Sequence, residues 1–171
     1  IASCLVGSEM CIRDRSTPAS HRRCCFLVEA NIESFRCCFL VMQVTRGYVN
    51  NAIHLLEAGA IDQFLAGFVA EDVQWIITGS SVLAGIYTSK AHFINSAISR
   101  LKASLDGGIQ WRVNNVIIDG SFVVLEMTSE AVSKHGQPYN NEYVWVLEFD
   151  GQMFHKVRVY FDDVLVDKII Q

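Results

Sequence analysis

From Val44 onward the apolar positions follow two rhythms. Val44, Tyr48, Ala52, Leu55 and Leu56 recur at helical spacing, and Gly59 suits a helix C-terminus. Ile61, Phe64, Leu65 and Phe68 form a second, shorter amphipathic set. Residues 72–78 (DVQWIIT) read as a strand, followed by the small-residue loop GSSVLAGIYTS. Thr88 or Ser89 can cap the next helix, which carries Phe93, Ile94, Ala97, Ile98 and Leu101 on one face and ends near Asp106-Gly107-Gly108. The rhythm then changes to a period of two. It predicts strands over 109–118, 121–133, 138–149 and 152–165. Asp119-Gly120 is a two-residue hairpin signal, and His135-Gly136-Gln137 and Asp150-Gly151 mark the next turns. Helical blocks followed by an antiparallel meander make an α+β fold. A curved sheet closed by helices on its concave face leaves a pocket between the layers, where small molecules usually bind.

Composition narrows the field. The chain has 171 residues, 51% of them hydrophobic and 19% charged, enough to bury a core. The net charge of -4, with no Lys/Arg cluster beyond Arg22-Arg23, argues against a nucleic-acid partner. No apolar run reaches the length of a membrane span. All six cysteines lie before residue 42, so no disulfide framework can tie the fold together, and the later domain reads as cytoplasmic.

The first forty-one residues follow neither rhythm. RCCFLV occurs at 23–28 and again at 36–41, too few copies for a solenoid. Its adjacent cysteine pairs (Cys24-Cys25, Cys37-Cys38) lack the two-to-four-residue spacing of structural zinc ligands. Glu29 and Glu33 interrupt any secretory signal, although 24–41 could form a helix. The run CLVGSEMCIRDR resembles a sequencing-library adapter translated in one frame. The expectation is a non-native, disordered or helical extension over 1–41 and a domain over 42–171 starting at Met42.

Within 42–171 several stretches carry a family resemblance: EAGAIDQFLAGFVAEDVQW at 57–75, the Gly85 and Tyr87 loop, GQPYNNEYVWVLEFDGQ at 136–152, and VRVYFDD at 157–163. With the element order, they resemble the SnoaL-like, ketosteroid-isomerase-like group of nuclear transport factor 2-like proteins. The resemblance implies a cone-shaped, curved antiparallel sheet around a pocket. It also implies that the pocket face carries Trp75 and Ile77; Glu126, Thr128 and Glu130; Asn141, Tyr143 and Trp145; and His155, Val157 and Val159.

Known chemistries of this group do not carry over. Laid along 123–162 without gaps, the catalytic Arg of limonene epoxide hydrolase falls on Glu126 and its two Asp on Thr128 and Val159. The Tyr and Asn that hold its water fall on Trp75 and Ile77. The base of ketosteroid isomerase falls near Ile77 and its oxyanion acid near Trp145. Asp162, the nearest acid to a SnoaL-type cyclase Asp, has the wrong parity. Two hypotheses remain. One is a cofactor-free isomerase, lyase or cyclase with Glu126 as acid/base and His155 as its partner. The other is a non-catalytic binding or dimerisation module of the same fold. In both, Trp75, Ile77, Thr128, Glu130, Asn141, Tyr143, Trp145 and Val159 contact a small hydrophobic molecule. No metal or cofactor is expected. Arg158, Tyr160 and Asp162 share the outer face, and a homodimer through the sheet is expected.

Overall fold

The computed structural model describes residues 43–170. The readings of the first forty-one residues and of Met42 as a start lie outside the described residues.

Two helices lead. α1 (Arg46–Glu57) is capped by the Thr45 side chain, which accepts from the Tyr48 amide at 3.2 Å. It buries Val49, Ala52 and Leu56, while Tyr48 and Leu55 of the spaced set are half-buried. α2 (Ile61–Phe68) buries Phe64 and Leu65 and runs directly into β1 (Val69–Ile77). Gly59, at φ 71°, makes the turn between the helices in a backbone region that glycine enters freely. Next come a short strand β2 (Gly85–Tyr87) and one continuous helix. The helix comprises α3 (Lys90–Phe93), a π-helical turn (Ile94–Ile98) and α4 (Ser99–Ser104). In the π turn both the amide and the hydroxyl of Ser99 donate to the Ile94 carbonyl.

Four strands follow: β3 (Gln110–Asp119), β4 (Phe122–Glu130), β5 (Asn141–Phe149) and β6 (Phe154–Phe161). A last helix, α5 (Asp163–Ile169), closes the described chain. The sheet order is β2-β1-β6-β5-β4-β3. β3 to β6 form the expected antiparallel meander, but β1 pairs with β6 in parallel. The sheet is therefore mixed, because the chain crosses from β1 to β3 through the helices and adds β1 beside the last strand. The segment expected as a loop contributes β2 on the outer side of β1. The expected strand over 152–165 stops at Phe161. Asp162 then caps α5, its carboxylate accepting from the Val164 and Leu165 amides at 3.1 and 3.3 Å.

The helices cover one face of the sheet. Val73 and Trp75 of β1, Leu125 and Met127 of β4, Leu147 of β5 and Val157 of β6 are buried there against Leu56, Phe64, Leu65 and Phe93. Among the described residues no helix is long and apolar enough to cross a membrane.

Candidate functional site

The helical layer does not fill the cone. A cavity of about 330 Å³ remains between the inner face of the sheet and the helix over residues 90–104. All three tryptophans of the chain line it: Trp75 from β1, Trp111 from β3 and Trp145 from β5. Trp145 sits edge-on to both others, with ring centroids 5.3 Å from Trp75 and 5.6 Å from Trp111. Phe93 of α3 stacks on Trp75 at 4.1 Å and 13°. Ring pairs of this kind lock one another's rotamers, so the wall is pre-formed. The Nε1 atoms of Trp75 and Trp145 are buried donors with no protein acceptor.

Tyr139 and Tyr143 supply the polar part of the lining. Their hydroxyl oxygens lie 2.8 Å apart and are buried. One hydroxyl donates to the other, which leaves one proton of the pair free for another acceptor. Burial pushes the Tyr143 phenol well above its ordinary pKa, and the adjacent Tyr139 raises it further. Burial also raises Tyr139, partly offset by hydrogen bonds from Tyr143 and Asn141. Both phenols therefore stay protonated at neutral pH and act as hydrogen-bond donors. At the mouth, Lys102 of α4 meets Asp62 of α2 at 3.0 and 3.1 Å, with both side chains largely exposed. Gly107 and Gly108 border the same opening.

The structure brings five of the expected residues together on this cavity: Trp75, Ile77, Tyr143, Trp145 and Val159. It places the others elsewhere. On β4 the buried residues are Val123, Leu125, Met127 and Ser129, while Glu126, Thr128 and Glu130 lie on the opposite face. The register explains this. Leu125 pairs with Trp145 and Met127 with Tyr143, and directly opposed residues share a face. Glu126 is paired with Val144 and Asn115 instead, and the Asn115 amide approaches its carboxylate at 3.4 Å. The face implied by the resemblance is thus the opposite of the one the structure buries on this strand. Glu126 is exposed, so the acid/base role expected of it has no basis in the cavity.

His155 is displaced for a related reason. The register between β5 and β6 shifts between Glu148 and Phe149, so the parity carried from Val157 does not extend back to residue 155. Its Nε2 faces Glu148, an outer residue, at 3.9 Å. Asn141 is buried on the inner side, as expected, but its amide is spent on the main chain. It donates to the Asp162 carbonyl and accepts from the Asp162 amide, both at 3.0 Å. This pair of hydrogen bonds ties the start of β5 to the end of β6, and the amide also bonds Tyr139.

Three participants went unassigned in the sequence. Tyr139 shares parity with Asn141, Tyr143 and Trp145, so the alternation reaches it. Trp111 alternates with exposed Arg112 at the start of β3, before a register shift between Val113 and Asn115 reverses the pattern. Phe93 was read as core and is also wall. Among the described residues no group of three or more His, Cys, Asp or Glu is arranged to hold a metal ion.

No protein-family model and no curated protein sequence matches this chain. Solved structures do. An NTF2-like protein from Burkholderia thailandensis is 16% identical, with 78% of this chain and 96% of that one covered, at a TM-score of 0.62. A protein from Jannaschia sp. CCS1, assigned as a SnoaL-like polyketide cyclase, is 15% identical over 71% and 90%, at 0.58. TerC, co-crystallised with polyporic acid, is 24% identical over 70% and 95%, also at 0.58. Likenesses at these identities concern the fold, which is the cone that the SnoaL-like resemblance implied.

Proposed function

We propose that this NTF2-like cone is a binding site for a small, largely apolar molecule carrying an oxygen acceptor. The observation that carries the reading is the cavity lining, an aromatic wall in which the Tyr139–Tyr143 hydroxyl pair keeps one proton to donate. Burying a flat apolar ligand against this wall supplies the affinity, and the hydroxyl pair fixes its orientation. The volume lies at the small end of the usual range, about 300–1,000 Å³. The association of TerC with polyporic acid and the cyclase assignment of the Jannaschia protein are in keeping with small-molecule use of this fold.

Binding without proton transfer accounts for the site better than acid/base catalysis. Among the described residues, Asp62 is the one carboxylate in the lining, and it sits at the mouth beside Lys102. Protonated phenols can hold a carbonyl oxygen but do not abstract a proton at neutral pH.

Titration by intrinsic tryptophan fluorescence tests the reading, because all three reporters line the cavity. A panel of rigid polycyclic ketones headed by fluorenone should change the emission saturably. Fluorene, which lacks the carbonyl, should bind more weakly. Removing both hydroxyls, Tyr139→Phe together with Tyr143→Phe, should weaken fluorenone roughly tenfold, the worth of about one hydrogen bond, and leave fluorene unchanged. Failure of the whole panel to bind would remove the reading. Equal losses for both ligands would remove the tyrosine anchor.

A further inference from the structure

The loop over residues 79–84, between β1 and β2, is a thin part of the cavity wall. Leu83 lines the chamber and is 3% exposed, while Val82 beside it is 46% exposed. The β1–β2 pairing ends at Ile77 and Gly85, so no ladder holds the loop. Side chains from three other elements grip it instead. Asp163 of α5 accepts from the Ser80 amide at 2.7 Å and from the Ser80 hydroxyl at 3.2 Å. Asp167, one helical turn further on, accepts from the Val82 amide at 2.8 Å. Arg100 of α4 donates to the Val82 carbonyl at 2.9 Å, and the Tyr87 hydroxyl of β2 donates to the Leu83 carbonyl at 2.7 Å. Gly79 makes room for the first clamp. Its φ is 111°, and a Cβ there would stand 2.5 Å from the Asp163 carboxylate oxygen. The Ser80 amide holds the Asp163 carboxyl below its ordinary pKa, so this clamp is charge-assisted at neutral pH.

We infer that the 79–84 loop is a door on the cavity, latched by Asp163 and Asp167, through which the ligand enters and leaves. The inference rests on the binding role proposed for the cavity. Around much of the chamber the rings fix one another, Phe93 on Trp75 and Trp145 against Trp75 and Trp111. The loop, by contrast, is held from outside by exposed carboxylate bonds, for which water competes. The Ala84 amide donates to the Ser81 carbonyl at 2.8 Å, so the turn that carries Leu83 moves as a unit once the clamps part. The helix that bears the latch does not depend on it, because Asp162, and not Asp163, caps α5. Loosening the latch favours the open loop with and without ligand alike. Association and dissociation then quicken together, and the dissociation constant holds.

Acrylamide quenching of the tryptophans and stopped-flow binding of fluorenone, both on the full chain, test the door. Asp163→Ala with Asp167→Ala should raise the quenching constant roughly twofold and both fluorenone rates roughly tenfold, the worth of one or two hydrogen bonds. Asp163→Asn with Asp167→Asn keeps an acceptor oxygen at each position and should stay within about twofold of wild type. Arg100→Ala removes a different clamp and should act in the same direction as the alanine pair. It decides the matter if far-ultraviolet circular dichroism shows that the pair does not fold. Unchanged quenching in the folded variants would overturn the door. Raised quenching with unchanged fluorenone rates would overturn its use as the ligand's entrance. Failure of the wild type to bind any ketone removes the binding reading and the ligand's passage with it, while quenching alone still decides whether the loop opens.

Discussion

The inner and outer faces of the sheet are built from alternate residues of the same strands and differ in almost every property. Leu125 packs against the buried rings, while Glu126, one peptide further on, stands in solvent. Tyr143 and Trp145 line the cavity, with Val144 exposed between them on the outside. Inside, polar groups are few, and the indole Nε1 atoms of Trp75 and Trp145 have no protein partner. Outside, carboxylates and cations mix with isolated apolar side chains. In a strand, then, chemistry is assigned by parity, and parity is secure only as far as the register runs without a shift.

Breaking the inner face should have the largest effect. Leu125→Glu forces a carboxylate among buried rings, where it has no partner. It should cost more than about 3 kcal/mol or abolish folding, read from the denaturant midpoint. A smaller effect sits with the tyrosine pair. Their folded pKa values lie above that of a free phenol. The unfolded chain therefore loses these protons first, and stability should be intact below about pH 10 and fall as pH rises beyond it. Urea midpoints measured at neutral and strongly alkaline pH should separate, and Tyr143→Phe should narrow the gap. An unchanged gap in that variant would show that other groups carry the alkaline loss. Least of all should follow from Glu126→Gln on the outer face. It should shift stability by no more than about 0.5 kcal/mol and leave fluorenone binding intact. A marked loss of binding there would place residue 126 at the cavity after all.

How far the sequence carried this picture also divides by face. The periodicities located both leading helices and the four-strand meander within a few residues, because burial enforces the spacing of apolar side chains. The aromatic parity of β5 was legible for the same reason. On β4 the odd positions Val123, Leu125 and Met127 announce the inner face, and a face carried over from distant relatives points the other way. His155 and Trp111 lie next to register shifts, which no simple alternation anticipates. The helix α5 was signalled by Asp162 at its N-cap, Asp163 in its first turn and Lys168 in its last, set against an apolar run that reads equally well as strand. The parallel pairing of β1 with β6 joins residues some eighty positions apart and leaves no local trace. The cavity is likewise a difference between two surfaces, fixed by how the helix over 90–104 is shaped.

That helix gives the site a lever that substitution does not reach. Its π turn holds one residue more than an α-helical turn would. Phe93 enters it and Ala97 and Ile98 leave it, all three along the cavity. Deleting a single residue, such as Ser96, would restore α-helical winding while leaving the helix beyond it in nearly the same phase, because the wide turn and an α-helical turn each close about one revolution. Leu101 and Lys102 would keep their side of the helix, while the wall between Phe93 and Ile98 would tighten and reshape the chamber without moving its mouth. For this cone, gain or loss of one codon in the helix is a coarse adjustment of pocket size, and side-chain replacement is the fine one.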